Sequence, residues 1–174
     1  IYGKVHVNFG DPLPLAGFLD GQRADWRAAR DEANGDWLRL ATREVASELA
    51  TRINAAAVLN PVSLISLALL ATARCTADAL GLRRMIAHFQ ALDAAAPYSP
   101  QRIACVLDPL QVVAYGERLG IIEQIPHPFG NLVRVVDAQI KQLPYFRNNV
   151  LHLFAVPALI ACLLGNSRSL DVPR

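Results

Sequence analysis

Two histidine–aspartate pairs have the residue types and spacing that could support catalysis. His6 and Asp11 lie five steps apart in VHVNFGDPLP, and His88 and Asp93 have the same spacing in HFQALD. A histidine and its aspartate must lie within about 2.6–3.2 Å to work as a general base. Five extended residues at about 3.3 Å each separate the first pair by roughly 16 Å. On a helix, five steps of about 100° turn the second pair about 140° apart. We therefore expect neither pair to be catalytic.

A polar cluster at the start of the last apolar run is the second candidate site. Arg147, Asn148 and Asn149 stand directly before VLHLFAVPALIACLL. Buried polar groups without partners cost about 1–3 kcal/mol each, so these groups need hydrogen bonds. We favour a structural role, in which the amides cap and the guanidinium clamps a helix. Asn54 is assigned to the same structural cluster, as an amide that bonds between helices.

The alternative for Arg147 is contact with a phosphate of a substrate, which suits its planar guanidinium. The absence of a glycine-rich loop or a second basic residue beside it favours the structural role. His152, within the apolar run, is interpreted as a core histidine. No residue of the chain is predicted to be catalytic, and the substrate-binding assignment of Arg147 is the weaker hypothesis.

The three cysteines and the other motifs predict no metal site and no resident cofactor. Cys75, Cys105 and Cys162 lie among apolar neighbours without a Cys-x-x-Cys pair, which is typical of reduced, partly buried thiols. No cluster has metal-ligand spacing. No dinucleotide fingerprint and no Gly-x-Ser-x-Gly turn is present.

Charge and hydropathy disfavour a nucleic-acid-binding protein and a transmembrane protein. The 17 Lys and Arg residues against 15 Asp and Glu give a net charge of +2 without a basic run, which is unlike a nucleic-acid-binding protein. The apolar segments 55–73 and 150–164 are interrupted by polar residues or proline, and the second is short of the roughly 20 residues of a membrane span. Contact with a bilayer surface is compatible with both segments.

The N-terminal pattern predicts one strand without a partner. Residues 5–9 alternate apolar and polar side chains, and GDPLP stops the pattern. Because a strand needs a hydrogen-bonded neighbour, we expect its partners upstream. The chain begins at Ile1 without Met, so we expect a piece of a longer polypeptide. Residues 15–35 are expected to form a polar connection.

The remainder predicts a mainly α (α+β) fold. Apolar periodicity, capping residues and first-turn prolines indicate five helices. Four of them are expected over residues 36–56, 62–74, 109–120 and 145–164. The remaining helix follows Thr76 and Asp78, which are expected to open it. Residues 121–125 and 132–136, joined by PHPFG, predict one small β-hairpin.

Four stretches together resemble a known family. VNFGDPLPL, INAAAVLNPVSLISLALL, APYSP and YFRNNVLHLFAVPALIACLL are similar to the C-terminal part of the bacterial membrane-bound glycerol-3-phosphate acyltransferases. The resemblance covers nearly the whole chain, and the YFRNN segment before an apolar helix is its most specific part.

The resemblance implies a definite function for the complete protein. The family transfers a fatty acyl group from acyl-CoA or acyl carrier protein to glycerol 3-phosphate in phospholipid biosynthesis, at the cytoplasmic face of the bacterial inner membrane. Its catalytic histidine and aspartate and its phosphate-binding motifs lie upstream of this stretch. Residues 1–35 would end the catalytic α/β domain and its linker, and residues 36–174 would form a helical C-terminal domain. The implied partners are the upstream domain, both substrates and the membrane surface, and the isolated chain is expected to be inactive.

Two other classes of protein are compatible with parts of the sequence. A winged-helix nucleic-acid module would use the helix over residues 109–120 and the hairpin, but these carry only Arg118 and Arg134 as bases. A helical interaction or membrane-docking module would instead use the apolar helices as its contact surface.

Overall fold

The computed structural model describes residues 4–28 and 36–166, which fall into two compact units. Of the described residues, 7–28 and 36–56 belong to the smaller unit, and 4–6 and 57–166 belong to the larger one. Seven α-helices and a three-stranded antiparallel sheet lie within the described residues. The predicted mainly α fold with a minor β component is confirmed.

The smaller unit contains helices α1, Leu15–Gln22, and α2, Asp36–Ala55. The predicted long helix over residues 36–56 is confirmed, and Asp36 lies in its first turn. The predicted polar connection over residues 15–35 is wrong in its first part, because Leu15, Phe18 and Leu19 recur at helical spacing and form α1.

A turn after α1 is held by one carboxylate. Asp20 accepts hydrogen bonds from the Trp26 indole at 2.8 Å and from the Arg27 guanidinium at 2.6 Å. The bond from Arg27, and then the bond from Trp26, lower the pKa of Asp20 because both favour its charged form.

The predicted N-terminal strand is not formed. Residues 4–14 are neither helix nor strand, and no strand pairs with them among the residues described. Val5, Val7 and Phe9 are 83%, 73% and 91% exposed. A strand requires a neighbour for its backbone hydrogen bonds, and this segment has none here. Its pairing with an upstream sheet stays a prediction.

Helix α3, Pro61–Leu70, is the centre of the larger unit. All but its two end residues are buried. The helix begins with a capping box, in which the Asn60 side chain accepts from the Ser63 backbone at 2.9 Å and the Ser63 hydroxyl accepts from the Asn60 backbone at 3.0 Å. The buried Ser66 hydroxyl donates to the Val62 carbonyl at 2.7 Å, so it carries no unsatisfied group.

The predicted helix over 62–74 ends earlier than expected. After Leu70 the chain forms a tight turn over Ala73–Cys75, where Arg74 and Cys75 have φ values of 55° and 49°. These left-handed residues cannot continue an α-helix, and they redirect the chain into a strand.

Two capped helices pack against α3. Helix α4, Ala79–Ala95, begins at Asp78, whose carboxylate accepts from the Gly81 backbone at 2.7 Å. Helix α5, Pro109–Arg118, begins at Asp108, which forms a capping box with Gln111. Asp78 caps α4 as predicted, whereas Thr76, also predicted to open this helix, lies in a strand before it. Helix α5 begins at the predicted residue 109.

The predicted hairpin is confirmed as part of a larger sheet. Strands β2, Ile122–Ile125, and β3, Leu132–Val135, pair antiparallel. Strand β1, Thr76–Asp78, pairs with the other side of β3, giving the order β1-β3-β2. The prediction of one small hairpin therefore missed a strand, because three residues are too few to show an alternating pattern.

The predicted single helix over 145–164 is wrong. Helix α6, Leu143–Asn148, packs against α3, and a tight turn over Leu151–Phe154 separates it from α7, Ala155–Asn166. The side chains of residues 155–165 are exposed except that of Pro157. Among the described residues, none of the helices combines the length and apolar character required to span a bilayer.

Candidate functional site

His6 and Asp11 both lie on irregular chain with exposed side chains. His6 belongs to the larger unit and Asp11 to the smaller one. Neither side chain has the water-excluded surroundings in which a catalytic pair is effective.

His88 and Asp93 point to different sides of α4, as predicted. His88 is exposed, whereas Asp93 is buried. Asp93 forms an ion pair with Arg102, whose Nε lies 2.6 Å from the carboxylate and whose Nη2 donates to the Asp93 carbonyl at 2.8 Å. This aspartate therefore joins the end of α4 to the loop that follows, and it is not a partner for a catalytic histidine.

The Arg147 cluster lies at the end of α6. The guanidinium of half-buried Arg147 donates to the Asn148 side-chain oxygen at 3.0 and 3.2 Å. Asn148 and Asn149 are exposed. The short α6 places them at its C-terminal end, where the chain turns at the surface. Within the described part of the larger unit, no carboxylate pairs with Arg147.

The other predicted polar residues occupy separate positions. Asn54 is half-buried near the end of α2 in the smaller unit. His152 is half-buried in the turn before α7, with its ring edge-on to Tyr98 at 5.0 Å between centroids.

The three cysteines are free thiols. Cys75 and Cys105 are half-buried and Cys162 is exposed. Burial raises the pKa of Cys105, so its thiol stays protonated to higher pH. Over residues 4–28 and 36–166, no group of three His, Cys, Asp or Glu side chains is arranged to hold a metal ion.

A cavity of about 560 Å³ in the larger unit is the feature that sequence patterns did not indicate. Residues 58–62 and 103–107 form part of its wall, joined by a parallel bridge between Val58 and Ile103. The Leu59 amide donates to the Ile103 carbonyl at 2.8 Å. Helices α5 and α6 and residues 4–6 contribute to the rest of the lining.

Hydrogen bonds fix two segments of the cavity wall, residues 105–107 and residue 4. The Gln90 side chain donates to the carbonyls of Cys105 and Leu107, at 3.2 and 2.7 Å. The Lys4 backbone amide donates to the Tyr115 hydroxyl at 3.2 Å and so holds residues 4–6 at the rim. These bonds fix residues 4 and 105–107 in the cavity wall.

The basic residues required by a winged helix are engaged within the protein. Arg134 lies 2.6 Å from the Glu123 carboxylate, and the Arg118 guanidinium lies 5.1 Å from the centre of the Tyr115 ring. The bond from Glu123 raises the pKa of Arg134. This arrangement disfavours a surface that neutralises phosphates.

Comparison with known proteins identifies the class to which this helical region belongs. A family model described as the glycerol-3-phosphate acyltransferase C-terminal region matches residues 1–173. The chain therefore belongs to this family.

Individual relatives agree with this assignment. The chain is 36% identical over 170 residues to a glycerol-3-phosphate acyltransferase of Pseudomonas putida strain GB-1, covering 96% of the chain and 20% of the relative. It is 34% identical over 172 residues to the protein of that name from Xylella fastidiosa strain M12, covering 98% of the chain and 20% of the relative. The chain thus spans about a fifth of the length of these curated relatives. No solved structure matches it.

Proposed function

We propose that the chain is the C-terminal part of an enzyme that transfers a fatty acyl group from a thioester to glycerol 3-phosphate. The observation that supports this most strongly is the family match over residues 1–173 together with the name shared by the relatives. The donor would be acyl-CoA or acyl carrier protein, and the product would enter phospholipid biosynthesis. The earlier resemblance, based on four stretches of sequence, led to the same family.

The chemistry would be carried out by the part of the complete protein that precedes this chain. A histidine oriented by an aspartate would take the proton of the glycerol 3-phosphate hydroxyl, and the oxygen would attack the thioester carbonyl. The C–S bond would then break, and the CoA or carrier-protein sulfur would leave as a thiol with the proton returned by the histidine. Two observations support an upstream catalytic site. His6 and His88 are both exposed, and Asp93, which has the spacing of a partner for His88, is paired with Arg102. Residues 1–35 would complete the catalytic domain, and residues 36–174 would pack against it.

The test uses the complete protein in place of this chain alone. Incorporation of radiolabelled glycerol 3-phosphate into a lipid-soluble product should depend on a long-chain acyl thioester. Complete protein that is folded but incorporates no label with either acyl-CoA or acyl carrier protein would contradict the proposal.

For Arg147 we propose a structural role, at the C-terminal end of α6 where its positive charge complements the helix dipole. Its bonds to Asn148 support this assignment. Arg147→Gln in the complete protein should lower the melting temperature by a few degrees and leave the KM for glycerol 3-phosphate within twofold. A KM raised tenfold or more with unchanged melting would favour the phosphate contact instead. Asn54 is proposed to act likewise, as a structural amide of α2.

We further propose a peripheral location at the cytoplasmic face of the inner membrane, with α7 as one contact. The surface of α7 also supports the alternative of a membrane-docking module. The twelve residues of α7 include no charged side chain. Val156, Leu159, Ile160 and Leu163 are between 51% and 64% exposed and recur at helical spacing. An exposed apolar stripe of this kind inserts at the boundary between headgroups and acyl chains.

Flotation with anionic phospholipid vesicles tests the role of α7. The chain should float with the vesicles, and Leu159→Glu should reduce the floated fraction severalfold. Leu80→Glu, at another exposed leucine, is the matched control and should have little effect. Equal flotation of both variants would contradict a contact through α7.

A further inference from the structure

The chemistry of the cavity lining selects a class of ligand. Most of the lining side chains are apolar, and Leu59 and Leu143 among them are fully buried. No Asp or Glu of the described residues lines the cavity. The basic side chains of the lining, Lys4 and His6, both come from the exposed segment at the rim. A ligand with an apolar body and an anionic end would complement this arrangement.

The volume is compatible with a single hydrocarbon chain. Small-molecule sites measure about 300–1,000 Å³, and this cavity of about 560 Å³ lies within that range.

Tyr115 keeps the basic residue Lys4 beside the cavity. Its ring lines the cavity, and its hydroxyl accepts a hydrogen bond from the Lys4 backbone amide at 3.2 Å. The charged end of a bound ligand would therefore meet Lys4, which also lines the cavity.

We propose that this cavity binds the hydrocarbon chain of a single-chain acyl anion, with the charged end at Lys4 and His6. The ligand is either a fatty acid or a monoacyl glycerol phosphate, which share this chemistry. The second source rests on the proposed function, because that compound is the product of the proposed reaction. The site would keep one acyl chain out of water within the C-terminal region.

Displacement of a fluorescent polyunsaturated fatty acid, cis-parinaric acid, measures binding to the 174-residue chain. The probe should bind once per chain, and palmitate and 1-palmitoyl glycerol 3-phosphate should both displace it, whereas octanoate should not. The tighter of the two competitors identifies the source of the ligand. Absence of saturable binding to folded chain, verified by circular dichroism, overturns the proposal.

A space-filling variant locates the bound chain. Ala104 lines the cavity and is exposed, so Ala104→Trp occupies cavity space without disturbing the core. It should weaken probe binding at least tenfold. Ala91→Trp, at an exposed position of α4 outside the lining, is the matched control and should bind within twofold of the parent chain. Equal affinities of the two variants would contradict binding in the cavity.

A charge reversal tests the position of the anionic end. Lys4→Glu should weaken binding of palmitate severalfold and leave that of neutral monopalmitoyl glycerol unchanged. The only other lysine provides the control, since Lys141→Glu lies on an exposed site outside the lining. An equal effect of both reversals would overturn the assignment of the charged end to Lys4.

Thiol protection gives an independent readout that requires no variant. Cys105 lines the cavity, whereas Cys162 is exposed on α7. Palmitate should slow alkylation of Cys105 at least fivefold, with Cys162 unchanged, in peptide-resolved mass spectrometry. Protection of Cys162 alone would assign the lipid to α7 and overturn the proposal. Binding to the isolated chain is measured without turnover. A negative binding result is therefore distinguishable from a negative result for acyl transfer by the complete protein.

Discussion

Replacing Arg102 by methionine removes the guanidinium that pairs with Asp93 and keeps much of the aliphatic side chain. The two side chains are 15% and 4% exposed, and their charged atoms lie 2.6 Å apart. Removing one partner of a buried pair costs about 3–5 kcal/mol, because the other charge stays buried. Since water can reach the space left by Arg102, we expect the lower end, a loss of about 3 kcal/mol in the free energy of unfolding.

Urea unfolding followed by circular dichroism measures this loss. With a slope of about 2 kcal/mol per molar, the midpoint should fall by about 1.5 M. Arg134→Met is the matched control, because Arg134 and Glu123 also lie 2.6 Å apart but are 45% and 44% exposed. Because that pair is exposed to solvent, its loss should shift the midpoint much less than Arg102→Met does. Equal losses in the two variants would refute the reasoning that burial decides the contribution of each pair.

Two further predictions concern α5 and α3. A Cβ at Gly116 would lie 2.5 Å from the Ile65 side chain. Gly116→Ala should therefore destabilise the chain by about 1 kcal/mol, despite the better helix propensity of alanine. Gly17→Ala, whose Cβ would meet nothing within 4 Å, should be neutral or stabilising in the same urea titration. Asn60→Ala removes the Asn60 side chain from the capping box and should lower the free energy of unfolding by about 1 kcal/mol. Asn60→Ser keeps a side-chain acceptor and should retain most of the stability. Equal stability of the two Asn60 variants would contradict a role as cap.

Local signals in the sequence predicted the helices whose ends carry strong caps. Asp108 followed by Pro109 marked the start of α5, and Pro61 marked the start of α3, because capping and first-turn proline act within a few residues. The hairpin of β2 and β3 was also local. Strand β1 was missed because its pairing with β3 joins residues more than fifty positions apart.

The candidate site shows the same division between local and distant contacts. The angle between His88 and Asp93 on a helix follows from helical geometry, so their separation was predictable. The pair of Asp93 with Arg102 was not, because the intervening loop has no regular spacing. The cavity combines residues 4–6, 58–62, 103–107 and parts of α5 and α6, and no periodic pattern relates these segments. Only the folded chain brings them together.

Thiol release from palmitoyl-CoA, with and without glycerol 3-phosphate, distinguishes catalysis upstream of this chain from catalysis within it. We propose that the upstream part of the complete protein carries out the reaction. The 174-residue chain should therefore release no more thiol than a protein-free blank, whereas the complete protein should release thiol in proportion to glycerol 3-phosphate. Glycerol 3-phosphate-dependent release by the isolated chain would overturn this assignment.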